Sequence, residues 1–140
     1  IAYARPLKSL MSTNFESLER PQYLIKKIAE LADKGLSYAY THLAGAELVA
    51  PYVVPNELYM YAKAEQGGEW ARVFKDNQIY PSERGQIHLV NSDLDPFYGA
   101  QEVRGVKVVS NFLLFADLYS CGGRAREAAR FLADKVGLRV

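Results

Sequence analysis

The chain has 140 residues, 49% of them hydrophobic and 24% charged, which is the size of one domain with ample apolar side chains for a core and excludes a disordered polypeptide. Its net charge of +1 is unevenly spread, with +2 on residues 1–35, −4 on the middle and +3 on residues 121–140, so a mixed solvated surface is expected rather than a strongly basic one. No stretch approaches the roughly 18 consecutive apolar residues of a membrane span, "IAYARPLKSLMSTNF" lacks the apolar run of a secretory signal, and the single Cys121 excludes an intrachain disulfide or a multi-cysteine zinc site.

These features predict a cytoplasmic protein with no membrane association. Residues 1–20 read as an irregular segment or the end of a linker, and residues 21–140 as a single domain. Pro21 suits the first turn of a helix. Leu24, Ile25, Ile28, Leu31 and Ala32 then recur at helical spacing, while Lys26, Lys27 and Glu30 face away and Gly35 ends the element. "LSYAY" reads as a strand, and "LAGAELVAPY" as a helix stopped by Pro51. "ELYMYAK" is a strand, "GEWARVFKD" a short helix, and "QIHLV" and "VKVVS" two further strands. "SNFLLFADLYS" is apolar enough to be a buried helix, which Ser110 or Asn111 could cap. After Gly122 and Gly123, a last helix carries the small-residue stripe Ala125, Ala128, Ala129, Leu132, Ala133 and Val136, and it ends before Gly137. The fold class is therefore α/β (α+β): a mixed β-sheet packed with helices and closed by a C-terminal helix pair.

The stretch "LAGAELVAPYVVPNELYMY" has the element order of a nucleotidyltransferase active site. Such sites place Gly-Ser or Gly-Gly at the helix start. Two carboxylates at i and i+2 then share one strand face and hold Mg²⁺. Here Gly45 is followed by Ala46, and Glu57 is partnered by Tyr59. The outline is degenerate, so no catalytic residue, metal or cofactor is expected. An enzyme with an unusual metal site would need a second carboxylate brought to Glu57, with Asp93, Asp95 and Glu102 as the lenders by position.

Other reactive side chains point to structural roles. Cys121 lies among glycines, and nothing in the sequence joins it to His42 or His88. His88 alternates with Ile87 and Leu89 and is expected on the solvent face of its strand. Thr41 and His42 precede a helix, where capping is the expected role. Asp93 and Asp95 in "NSDLDPF" lack the remaining ligands of a Ca²⁺ loop and suit a capped turn. Arg126 and Arg130 fall together on the last helix, with Arg124 on the other flank. With Lys26 and Lys27, these arginines are the candidate contacts for a protein partner or nucleic acid, and a nucleic-acid-binding module is the third reading.

Two longer segments, "GLSYAYTHLAGAELVAPYVVPNELYMY" and "GVKVVSNFLLFADLYSCGGRAREAARFLADKV", together resemble the C-terminal region of the AbiEi family, antitoxins of type IV toxin-antitoxin systems and transcriptional regulators of viral defence. The matching residues are Thr41, Leu43, Ala44, Gly45, Ala50, Pro51 and Tyr52, then Val108, Val109, Ser110, Asp117, Leu118, Gly122, Gly123, Arg124, Glu127 and Ala128. Asn111 stands where a Pro is usual and Phe115 where a Tyr is usual. The resemblance implies a non-catalytic domain with a nucleotidyltransferase-like core that neutralises a cognate toxin and assists DNA binding. Reading of DNA would fall to an N-terminal winged helix-turn-helix. Since about 20 residues cannot supply one, the chain is expected to be either the effector domain of a longer regulator or a homologue lacking the DNA reader, and the start at Ile1 favours the first.

Overall fold

The computed structural model describes residues 6–139. Its elements in chain order are β1 (Ser12–Glu16), α1 (Pro21–Leu31), β2 (Tyr38–Thr41), α2 (His42–Val49), β3 (Leu58–Ala62), α3 (Gly67–Lys75), β4 (Tyr80–Pro81), β5 (Ile87–Val90), β6 (Gln101–Val103), β7 (Val106–Val108), α4 (Asn111–Cys121) and α5 (Gly123–Val136). The strands form one mixed sheet in the order β4-β1-β5-β3-β2-β7-β6. The pairs β3/β5 and β2/β7 are parallel, and the other neighbours are antiparallel.

Alternation along the strands divides the core in two. Phe15, Tyr38, Tyr40, Leu58, Met60, Ile87 and Leu89 face a layer made by α1 and α3, where Leu24, Ile28, Trp70 and Phe74 are buried. Ala39, Tyr59, Tyr61, Val90 and Val108 face α2, α4 and α5 on the opposite side. This two-faced burial explains why "LYMYA" in β3 is apolar or aromatic at every position and wholly buried. The alanine stripe of α5 is also buried: Ala125, Ala128, Ala129 and Ala133 are at most 6% exposed, so the last two helices pack at close range.

The predicted helices and all four predicted strands are present, and β1, β4 and β6 are additional. Ser110 caps α4 by accepting from the Leu113 amide, and Gly35 and Gly137 end their helices in left-handed conformation. The expectation that residues 1–20 are irregular requires correction, although residues 1–5 lie outside the described residues. Ser12–Glu16 is a strand inside the sheet, paired with β5 on one side and β4 on the other. Its sequence STNFE carries a single core anchor, Phe15, so neighbours rather than intrinsic pattern make it a strand. The two-residue β4 ends the sheet at Pro81, where a missing amide donor is tolerated. β6 turns into β7 through Arg104 and Gly105, both at positive φ (51° and 80°), as a two-residue hairpin turn requires.

Candidate functional site

Glu57 immediately precedes β3, so alternation places it with Tyr59 and Tyr61 on the sheet face covered by α2, α4 and α5. On the adjoining strand His88 is in register with Tyr59. The His88 ring stacks on the Tyr59 ring at 4.3 Å, and the His42 ring meets Tyr59 in an edge-type contact at 4.8 Å. His88 Nε2 lies 3.1 Å from Glu57 Oε1, and its Nδ1 lies 2.7 Å from Asn14 Oδ1 on β1. His88 is thus half-buried and bonded at both ring nitrogens, not on the open solvent face that strand alternation alone suggested.

This arrangement does not suit a metal pair. Where the second carboxylate would stand, the Tyr59 phenol is pushed up to about 12, chiefly by burial and further by Glu57, so it is a neutral hydroxyl. The one carboxylate is engaged by His88. The conceivable lenders are elsewhere: Glu102 is on β6, three strands from β3 and so about 14 Å across the sheet. Asp93 and Asp95 follow β5, beyond the end of the parallel β3/β5 pair opposite Glu57. Asp95 Oδ1 accepts from the Phe97 amide and Ser92 Oγ from the Leu94 amide, which is the expected capped turn. Among the described residues no three His, Cys, Asp or Glu side chains converge as a metal site.

Gly45 has a packing explanation. A Cβ there would lie 2.8 Å from Leu114 Cδ1 and 3.3 Å from both Tyr40 O and Val108 Cγ1, so glycine is needed for α2 to approach β2, β7 and α4. His42, the first residue of α2, takes a positive φ of 58° and is buried, and its Nδ1 has no hydrogen-bond partner among the described residues. Burial, assisted by nearby Lys8 and His88 and opposed by Glu57, lowers its pKa to about 4. It therefore caps nothing and stays neutral. Thr41 sits at the N-cap position, but its hydroxyl is committed across the core instead.

That commitment is to Asp117 of α4, which sequence reading reached only through the family resemblance. Thr41 Oγ1 donates to Asp117 Oδ2 at 2.7 Å, and Tyr61 Oη donates to the same oxygen at 2.8 Å. Asp117 is 2% exposed. Burial raises its pKa to about 6 against the lowering effect of the two hydroxyls. An acid inside the apolar run "NFLLFADLY" was the available signal, since an isolated carboxylate rarely enters a buried helix face without partners. Cys121, one turn further along α4, is half-buried, and burial pushes its thiol up, away from nucleophilic use.

The basic candidates do not form one surface. Lys26 and Lys27 are on α1, and Lys27 Nζ pairs with Glu19 at 3.1 Å. Arg124, Arg126 and Arg130 are on α5, across the sheet. There Arg126 lies over the Tyr119 ring at 4.2 Å while its Nε donates to Tyr119 O, and the Arg130 guanidinium lies 6.0 Å from the same ring. Arg126 and Arg130 are thus adjacent, as the helical wheel indicates.

A sequence model described as "Transcriptional regulator, AbiEi antitoxin, Type IV TA system" matches residues 2–137. No curated protein matches the chain significantly. Among solved structures, the chain is similar to ANT(2″)-Ia in complex with adenylyl-2″-tobramycin, with a TM-score of 0.60 and 16% identity over 83% of this chain and 89% of that one. At this identity the likeness shows a nucleotidyltransferase-like fold and nothing of its chemistry.

Proposed function

The chain belongs to the AbiEi family of type IV toxin-antitoxin regulators, and from that premise we propose that it is a non-catalytic interaction domain that neutralises a cognate toxin and assists DNA binding. One observation carries the non-catalytic part: the positions for metal-binding carboxylates hold a Tyr59–His88 stack and a Glu57–His88 pair. A buried neutral phenol and one engaged carboxylate supply neither the negative charge nor the oxygen ligands that Mg²⁺ requires. The fold then serves as a rigid support for its surfaces. The α5 face bearing Arg126 and Arg130 around Tyr119 is the proposed partner surface, because aromatic and arginine side chains together favour protein interfaces. Its few basic residues would add phosphate contacts, with base readout left to a winged helix-turn-helix of the kind the family implies.

The test is binding to a nucleotidyltransferase-like toxin encoded beside this chain. Arg126→Glu with Arg130→Glu is expected to weaken that binding by at least about tenfold, or ~1.4 kcal/mol. Stability should change by no more than about 1 kcal/mol, since the arginines are surface groups held by cation–π contact. Unchanged toxin binding would remove α5 from the interface. Micromolar binding of Mg²⁺ with ATP or CTP, abolished by Glu57→Ala, would overturn the non-catalytic reading.

A further inference from the structure

A cavity of about 310 Å³ opens beside α4, lined by Leu10, Tyr61, Leu94, Phe112, Ala116 and Asp117 among others. Its size is at the lower end for small-ligand sites. Its walls are mostly apolar, and at its mouth Leu94, Phe112 and Tyr98 are 59%, 54% and 83% exposed. Asp117 is the buried carboxylate of its lining, which also includes the polar side chains of Ser92, Asp95 and Ser110. Both hydroxyl donors reach Oδ2, and Oδ1 accepts no hydrogen bond among the described residues. Nor is Oδ1 sealed in: the buried side-chain nitrogens and oxygens without partners are His42 Nδ1 and Trp70 Nε1. Among the described residues Oδ1 is therefore an unpartnered oxygen that is not fully enclosed, on a residue that lines the cavity. Asp95 also lines the cavity, and among the described residues no Lys, Arg or His does.

We propose that this cavity binds an organic ammonium group carried on a short apolar stem, with Asp117 Oδ1 as the acceptor. The inference does not depend on the toxin-binding reading, because the cavity is built by α4 and the loop after β5 while Arg126 and Arg130 stand on α5. Three features select the ligand class. A carboxylate with one free oxygen in apolar surroundings strongly favours a positive partner. A hard metal ion would need about six oxygen ligands, and among the described residues no three His, Cys, Asp or Glu side chains are grouped to hold one. The rings of Phe112 and Tyr98 at the mouth offer faces that attract an ammonium and cover an aliphatic stem. The same chemistry is presented by a free amine and by the end of a lysine side chain.

The probes are n-butylammonium chloride, n-butanol as its uncharged counterpart, and the blocked peptide Ac-Ala-Lys-Ala-NH₂, each titrated into the labelled protein at pH 7 and followed by amide NMR. Saturable shifts at Tyr61, Ala116 and Asp117 are expected with n-butylammonium, at least about tenfold tighter than with n-butanol. Shifts with the peptide as well would identify lysine side chains as an accessible source, and their absence would confine the site to free amines. Asp117→Asn should abolish the charged preference. A measurement that needs no variant follows the Asp117 carboxyl carbon against pH: bound ammonium should move its titration down by about one pH unit. Equal affinity for n-butylammonium and n-butanol, absent saturation with either cation, or an unmoved Asp117 titration would overturn the proposal.

Discussion

Asp117 and His42 are buried ionisable groups whose folded-state shifts oppose each other, so paired variants can test the core electrostatics. For Asp117 the pKa is raised from 3.8 to about 6, so the folded state favours the protonated acid. Its stabilising contribution is full below about pH 4 and is lost as the pH rises through about 6. For His42 the pKa is lowered from 6.5 to about 4, so the folded state favours the neutral ring. That contribution is full above about pH 6.5 and is lost as the pH falls through about 4. Each shift corresponds to about 3 kcal/mol, and between pH 7 and 4 the two nearly cancel. Asp117→Asn preserves an oxygen that can accept from Thr41 and Tyr61 while removing the titration. Relative to the wild type, it should lose about 3 kcal/mol more on acidification from pH 7 to 4. His42→Asn suits a residue at φ 58°, since Asn tolerates the left-handed region, and it should change the difference by about the same amount in the opposite direction. Urea unfolding followed by Trp70 fluorescence measures both, because Trp70 is fully buried. Variants whose stability curves run parallel to the wild type would refute the burial of these charges.

The glycines make a second comparison. Gly45→Ala should cost about 1–3 kcal/mol, because the side chain of Leu114 can yield partly. Gly85→Ala should cost more, since its Cβ would fall 1.9 Å from Phe15 O in the backbone of β1. Thermal melting that ranks them in the reverse order would contradict the packing described. Tyr59→Asp alone should not create tight Mg²⁺ binding, because His88 would still engage Glu57. Combining it with His88→Asp places three carboxylates on one face of adjacent strands and should give Mg²⁺ affinity measurable by calorimetry. Binding by the single variant as strong as by the double would show that His88 does not hold Glu57.

Elements that could be read from the sequence are those whose own residues determine them. α1 has a full apolar stripe, Pro21 at its start and Gly35 after its end, and α5 has an alanine face wide enough to define its packing. β1, β4 and β6 were hidden because each depends on a neighbour: Phe15 is the sole core anchor of β1, and the short edge strands offer two or three residues to any periodicity. The His88 environment was hidden for the same reason. Alternation assigns a face, but the chain distance between Asn14, Glu57 and His88 gives no sign that sheet order will bring them together.

The degenerate site shows why a missing residue type is more informative when the vacated volume is known. Tyr59 in place of an acid removes one ligand, a change that a carboxylate from another element could in principle repair. The aromatic contacts of Tyr59 with His42 and His88 occupy the strand face beside that position, and the remaining acid lies against His88. Gly45 makes the complementary point. Its presence at a motif position is explained by its contact with Leu114, Tyr40 and Val108, so that glycine follows from helix packing whether or not a phosphate was ever to approach. The polar chemistry that does persist on this side of the sheet is four residues further along, at Tyr61, where Thr41 and Tyr61 satisfy one oxygen of Asp117. A buried carboxylate with only one of its two oxygens hydrogen-bonded is costly. Its place in the lining of the cavity therefore makes Asp117, rather than Glu57, the place where a small ligand would have most to gain.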